Sequence, residues 1–250
     1  MIQSIALLAS DSSHLPLLTV FKECGAAEKH GLSIELHLVG GARAPKMADR
    51  TRLLLAGEID FVSGVHHETY KMRAGGEKRL KYLAQTQNNW DDRLIVAPKI
   101  RALDDLRGKK IVCHAAAPCV LGNLAAVLAE CGFNPDEIRI ETLASKPGSH
   151  REFVDRVAAG EFDAALVDMP FDLYGVNRGL RIMDLPDRPV IHNTTILVSN
   201  DYIRENRETV ISFLKALIET IHFFKKQPGE TMRILKTNLA RRYGLDGDEY

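Results

Sequence analysis

The segment Leu55-Ala-Gly-Glu-Ile-Asp-Phe61 returns later in the chain as Ala158-Ala-Gly-Glu-Phe-Asp-Ala164. In both copies a helical pattern runs up to the glycine, which tolerates the left-handed backbone that ends a helix. The aspartate then opens an apolar run of strand length. Upstream the echo continues: 4–25 reads as strand, small polar loop, Pro16, helix and Glu23-Cys24-Gly25, and 110–132 reads as strand, small loop, Pro118, helix and Glu130-Cys131-Gly132. Three matches in one order imply two similar halves, each built as strand, helix, strand, helix, strand. Each half must bury its own sheet faces under its own helices, so two lobes with sheets of about five strands are expected.

Strand-length apolar runs alternate with amphipathic segments throughout, the pattern of an α/β fold with a largely parallel sheet. Strands are expected at 4–9, 33–38, 59–63, 81–87, 93–97, 110–114, 138–142, 164–167 and 195–199, with the clearest helices at 16–29, 46–56, 120–130, 149–159 and 205–226. Two extended passages, 86–92 and 184–195, flank the second half. A chain that leaves one lobe, builds another and returns needs such passages, which predicts a double-stranded hinge beside a central cleft. The expected division is 1–92 for lobe 1, 93–194 for lobe 2 and 195–250 for the return to lobe 1 with C-terminal helices.

Composition narrows the partners. Thirty-three Lys and Arg balance thirty-three Asp and Glu, and a neutral chain lacks the clustered positive charge that phosphate binding needs, so no nucleic-acid partner is expected. The most hydrophobic C-terminal stretch, 212–224, is interrupted by Lys215, Glu219 and His222, so no membrane insertion is expected. The first residues have no positive n-region and too short an apolar run for a signal peptide. A periplasmic or cell-surface location is therefore expected if an export signal has been removed, and a cytoplasmic one if Met1 is native. The four cysteines, Cys24, Cys113, Cys119 and Cys131, show no C-x-x-C spacing and read as reduced or buried thiols. No cofactor is expected, and no His spacing suggests a metal site.

Several segments taken together resemble a known family. These are Asp11-Ser-Ser-His14-Leu-Pro16, Lys29-His-Gly-Leu-Ser-Ile-Glu-Leu36, Gly40-Gly41, the first copy of the repeat, Leu103-Asp-Asp-Leu-Arg-Gly-Lys-Lys110, Ala159-Gly-Glu-Phe-Asp163 and Pro170. In this order they resemble the substrate-binding proteins of sulfonate, nitrate and taurine transporters and the related thiamine-pyrimidine proteins. The resemblance covers essentially the whole chain, and its most specific part is 103–110. It implies the two-lobed type II periplasmic-binding-protein-like fold, a small-molecule ligand, and a membrane permease and ATPase as partners. Family members normally carry an export signal and continue through further helices, which implies a longer gene product than a chain stopping at Asp246-Gly-Asp-Glu-Tyr250.

In open α/β sheets, ligands bind beyond the carboxyl ends of the strands. That rule nominates Ser10, Asp11 and His14 after the first strand, Gly40 and Gly41 after the second, and Ser63, His66 and His67 after the third. It also nominates His114, Ala116, Ala117 and Cys119 after the first strand of the second half, then Asp168, with Asn193 on the returning passage. The Gly pair lets backbone N–H groups approach an anion. Family members usually carry Gly and Ser where this chain has Ala115-Ala-Ala-Pro118, and the loss of hydroxyls shifts the expected ligand from a tetrahedral anion toward a flat, partly anionic, aromatic or heterocyclic molecule.

The primary expectation is a ligand-binding protein that closes two lobes over a small organic molecule as the solute-binding component of an ABC-type transporter. The alternative is a cytoplasmic enzyme on the same fold, a decarboxylase, dehydratase or pyrimidine-synthase-like protein. It would use the histidines, with His66 and Cys119 as its catalytic candidates. A transcriptional effector domain shares the fold but would need a DNA-binding domain before the first strand.

Overall fold

A computed structural model describes residues 2–9, 14–38, 49–64, 66–114, 118–144, 149–190 and 194–243. The chain divides into two units, Met1–Asn88 with Val190–Arg242, and Asn89–Pro189 with Tyr243–Tyr250. Both are α/β, and each holds a five-stranded sheet.

The sheet of unit 1 contains β1 (Gln3–Ala9), β2 (Leu32–Leu38), β3 (Phe61–Ser63), β4 (Leu80–Gln85) and β10 (Thr195–Ser199) in the order β2-β1-β3-β10-β4. In unit 2 the sheet contains β5 (Arg93–Val96), β6 (Lys110–His114), β7 (Arg139–Leu143), β8 (Ala164–Val167) and β9 (Arg181–Met183) in the order β7-β6-β8-β5-β9. The two orders are one topology. In each, three strands run parallel and a fourth enters antiparallel: β10, the last strand of unit 1, beside β3, and β5, the first strand of unit 2, beside β8.

The repeat occupies equivalent places in these sheets. Leu7 pairs with Phe61 as Ile111 pairs with Ala164. One residue earlier, Ala6 N–H donates to Asp60 Oδ2 at 2.8 Å, and Lys110 N–H donates to Asp163 Oδ2 at 3.1 Å. Asp60 N–H returns a bond to Ala6 O and Asp163 N–H to Lys110 O, each at 3.0 Å. The aspartate thus staples the entry of one strand to its neighbour in both units. Gly57 (φ 72°) and Gly160 (φ 79°) hold the left-handed backbone before it.

The helices are more finely divided than their periodicity suggests. The expected helix 16–29 breaks at Gly25 (φ 80°) into α1 (Leu15–Glu23) and α2 (Ala26–Lys29), because a left-handed residue cannot continue a right-handed helix. The expected helix 205–226 is α9 (Arg207–Lys226), preceded across Asn206 by a short helix that was not foreseen, α8 (Asn200–Glu205). Described helix in 46–56 is α3 (Arg50–Leu55), while α5 (Pro118–Glu130) and α6 (Ser149–Ala158) fall where the pattern placed them. Also not foreseen were β9 and the helices α4 (His66–Ala74) and α7 (Phe171–Asn177), while α10 (Pro228–Tyr243) lies in the part of the chain where further C-terminal helices are expected. Helices α4 and α7 begin just after β3 and β8, the strand ends to which the ligand-site rule points.

Burial follows the amphipathic faces. Helix α9 buries Val210, Phe213, Ala216 and Leu217 against α1, α2 and the sheet, and Phe213 stacks on Phe61 at 4.1 Å between ring centroids. In unit 2, Phe153, Val154 and Val157 of α6 pack with Val112, Ala165, Val167 and Phe171. The segment 103–110, the most specific part of the resemblance, is a structural turn. Asp105 Oδ2 accepts from the backbone N–H groups of Arg101 (2.8 Å) and Ala102 (3.0 Å), and Gly108 (φ 72°) directs the chain into β6.

The chain crosses from unit 1 to unit 2 at Asn88–Asn89 and returns at Pro189–Val190, and these passages run antiparallel. Val190 N–H donates to Asn88 O and Trp90 N–H to Arg188 O, both at 2.8 Å. Among the described residues no helix is long and apolar enough to cross a membrane.

Candidate functional site

In unit 2 the polar groups converge at the carboxyl ends of β6 and β8. His114 is the last residue of β6, Asp168 follows β8, His150 is the second residue of α6, and Cys119 is the second residue of α5. Asp92 joins them because β5 runs antiparallel: Arg93 pairs with Val167, so the residue before β5 lies beside the residue after β8. Asp92 and Asp168 share a hydrogen bond between their carboxyl groups, and Trp90 Nε1–H donates to Asp92 Oδ2 at 2.5 Å.

The hydrogen-bond pattern fixes the histidine tautomers. His150 Nδ1 accepts the backbone N–H of Asp168 at 3.2 Å, so in the neutral ring its proton is on Nε2. That Nε2–H lies 2.7 Å from His114 Nε2 and 3.4 Å from Asp168 Oδ2. His114 Nε2 is therefore the acceptor, and its own proton is left on Nδ1. This atom is buried and has no hydrogen-bond partner among the described residues. The rings are held by aromatic neighbours, His114 at 5.0 Å from Phe153 and His150 stacked on Phe171 at 5.5 Å.

Protonation states follow from this packing. Burial, together with the adjacent His150, pushes the His114 pKa down to about 4, so the ring is neutral at pH 7. Burial and then the Asp168 charge hold the Asp92 carboxyl well above its ordinary range. The two carboxyl groups thus keep one proton between them, since like charges in contact resist joint ionisation. Burial, reinforced by Asp92, lifts the Cys113 thiol to about 11. Cys119 is raised too, by burial first and by Asp92 and Asp168, the reverse of what activates a thiolate nucleophile.

Unit 1 brings fewer groups together. His14, at the start of α1, places Nδ1 2.7 Å from the buried Ser63 Oγ at the end of β3. Gly64 N–H donates to Thr195 O at 2.8 Å, and Thr195 Oγ1 is buried without a partner among the described residues. Thr194 precedes it with φ 49°, a left-handed conformation uncommon for a β-branched residue. Helix α4 begins with His66, and His67 is exposed on its first turn. Ser10, Asp11, Gly40, Gly41, Ala116, Ala117 and Asn193 lie outside the described residues.

The structure thus joins His14 with Ser63, and His114 with Asp168 near Cys119. Sequence reading missed His150, Asp92 and Trp90. His150 sits at a helix start rather than a strand end, and Asp92 precedes its strand, so the strand-end rule could not select either. Among the described residues no cluster of His, Cys, Asp and Glu is arranged to hold a metal ion.

The family described as NMT1/THI5 like matches residues 28–231. No curated protein matches the chain by sequence. Among solved structures, the periplasmic aliphatic sulphonate binding protein SsuA from Escherichia coli superposes with a TM-score of 0.69 at 18% identity, covering 98% of this chain and 80% of that one. The periplasmic nitrate-binding protein NrtA from Synechocystis gives a TM-score of 0.70 at 15% identity, covering 99% of this chain and 69% of that one. A Candida albicans protein said to exhibit the generic periplasmic binding protein structural fold gives 0.61 at 16% identity, covering 100% and 78%. At these identities the likeness establishes the fold, that of the periplasmic binding proteins.

Proposed function

The chain belongs to the NMT1/THI5-like family, and from that premise we propose that it binds a small organic molecule by closing its two units over it, as the solute-binding component of an ABC-type importer. The observation that carries this reading is the pair of antiparallel passages at Asn88–Asn89 and Pro189–Val190. Two short passages joined by a few backbone hydrogen bonds and connecting two independently cored sheets can bend without disturbing either core, which is what a hinge requires. A ligand that gains contacts in the closed state then shifts the population toward it.

In this reading His14 and Ser63 in unit 1, and His114, Cys119 and Asp168 with His150 and Asp92 in unit 2, contact the ligand, an anionic or aromatic or heterocyclic molecule. Ser10, Asp11, Gly40, Gly41, His66, His67, Ala116, Ala117 and Asn193 complete the proposed set. The protein then works outside the cytoplasmic membrane and delivers its ligand to a permease driven by an ATPase. The test is to identify by mass spectrometry the small molecule that the protein carries from its own cells, then to measure small-angle scattering with that compound at saturation. A smaller radius of gyration is expected; an unchanged radius with demonstrated binding would overturn the hinge.

A second reading, an enzyme on this fold, is favoured by the Asp92–Asp168 pair beside the neutral His114 imidazole. A proton-holding carboxyl pair and a neutral base are the groups that acid–base chemistry needs. Product formation from the carried compound would decide for it.

A further inference from the structure

We propose that Gln85 positions the hinge: its side-chain amide ties both passages to the end of β4, so that closure bends the chain at Asn89 and Pro189 alone. The inference rests on the closure reading and locates its pivot.

The first ground is how unit 1 holds its ends of the two passages. Gln85 is the last residue of β4. Its Nε2 donates to Gln87 O on the outgoing passage and to Val190 O on the returning one, each at 2.7 Å. A primary amide has two N–H donors, and here they reach carbonyls of different passages. The buried Val190 is thereby held at both of its polar groups, its C=O by Gln85 and its N–H by Asn88 O at 2.8 Å. Farther along the returning passage, Thr86 N–H donates to Thr194 O at 3.3 Å, and Thr86 Oγ1 lies 3.1 Å from that oxygen and 2.8 Å from Thr194 Oγ1. These contacts keep Thr194 at φ 49°, a left-handed conformation that a β-branched residue holds where its surroundings over-determine it.

The second ground is the anchoring of the other ends in unit 2. Trp90 N–H donates to Arg188 O at 2.8 Å. The Trp90 indole is buried and bonded to Asp92, and the Arg188 guanidinium pairs with Glu130. Between the Asn88–Val190 and Trp90–Arg188 rungs stand Asn89 and Pro189, opposite one another and both exposed. Pro189 has no N–H with which to add a rung. Bending elsewhere in the passages breaks at least one of the bonds above, whereas a change of dihedral angle at these two residues leaves all of them in place.

The test combines two measurements at pH 7 on the full chain. Amide hydrogen exchange, read residue by residue by NMR, compares the unaltered protein with Gln85→Leu, which removes both donors, and with Gln85→Glu, whose carboxylate accepts hydrogen bonds and donates none. The Val190 N–H should exchange about ten-fold faster in both variants, as expected for local opening after the loss of one hydrogen bond, while Leu197 in β10 and Val112 in β6 keep their rates. Unchanged exchange at Val190 overturns the proposal. So does an equal acceleration at Leu197, which makes Gln85 a general support of the unit 1 sheet. Calorimetric titration with the compound recovered from the protein by mass spectrometry should show Gln85→Leu binding it about three-fold to ten-fold more weakly, because loosened passages must be ordered on closing. The variant should still contract to the same radius of gyration, since Gln85 belongs to no part of the proposed binding set; equal affinity overturns the proposal. If the unaltered protein binds that compound without contracting, the closure reading falls and this inference falls with it. If it contracts while Gln85→Leu changes neither Val190 exchange nor affinity, closure stands and this inference alone is lost.

Discussion

His114 Nε2 stands 2.7 Å from His150 Nε2, with the Asp168 carboxylate 3.4 Å from the same His150 atom. Two imidazoles this close cannot both be charged, and burial makes charging either one unfavourable.

The consequence for stability is a pH window. The His114 pKa falls from 6.5 in the unfolded chain to about 4 in the folded one. Between those values the unfolded chain takes up a proton that the folded chain refuses. Stability is therefore undiminished by this group above pH 6.5 and is lost as pH falls toward 4, by up to about 3 kcal/mol. Asp92, whose folded pKa is raised, acts in the opposite direction by destabilising the fold as pH rises. Urea denaturation of the protein and of His114→Phe at pH 7, 5.5 and 4.5 isolates the histidine contribution. A stability difference between them that stays flat across the window would sink the assignment.

Equivalent positions of the repeat should respond oppositely to the same change. Burial raises the Asp60 pKa despite its bonds to Ala6 N–H and Tyr202, so its charge destabilises the fold as pH rises above the unfolded value. Burial also opposes Asp163, but the Lys99 ammonium at 2.8 Å and the Lys110 N–H outweigh it and lower the pKa. Its contribution is present above the unfolded value and is lost as pH falls through the folded one. Asp163→Asn should cost about 1 kcal/mol at pH 7, while Asp60→Asn, which retains an acceptor for Ala6, should be neutral or stabilising. Matched denaturation curves decide, and equal losses at both sites would refute the asymmetry.

Ser63→Ala removes the partner of His14 Nδ1 in a buried setting. A loss of about 1 kcal/mol is expected for one partly buried hydrogen bond. Crystallography or imidazole nitrogen shifts should show the His14 ring displaced. No change in either the ring or stability would mean that the bond contributes nothing.

Cys119 should alkylate slowly at neutral pH despite its place at a helix start. Burial, Asp92 and Asp168 all keep its thiol protonated, and only the thiolate reacts. Peptide mapping after timed iodoacetamide treatment reads the rate residue by residue. Asp168→Asn should speed Cys119 alkylation; faster labelling of Cys119 than of a free thiol in the unmodified protein would contradict the electrostatic argument.

Much of the architecture was legible along the chain. Asp60 and Asp163, each after a left-handed glycine, mark strand entries that the structure staples identically, and strands such as 110–114, 164–167 and 195–199 begin and end where their apolar runs do. The short helices were not legible. In α4, a mostly polar sequence carries little periodicity, and in α7 the apolar residues Leu173 and Val176 remain exposed, so neither segment shows the single buried face that periodicity detects.

For the candidate site, His14, Ser63, His114, Cys119 and Asp168 could be named because each ends or follows a strand or lies at a helix start, and local order along the chain is what a sequence records. The companions of His114 could not. Asp92 reaches Asp168 only because β5 enters the sheet antiparallel beside β8, and His150 reaches His114 only because α6 packs on β8 with its first turn over the end of β6. Periodicity, glycine punctuation and the repeat determined the elements and the two units, since those depend on backbone preferences and burial within a few residues. Which side chains share a proton depends on hydrogen-bond register and packing between segments distant in the chain, and only the tertiary structure fixes those distances.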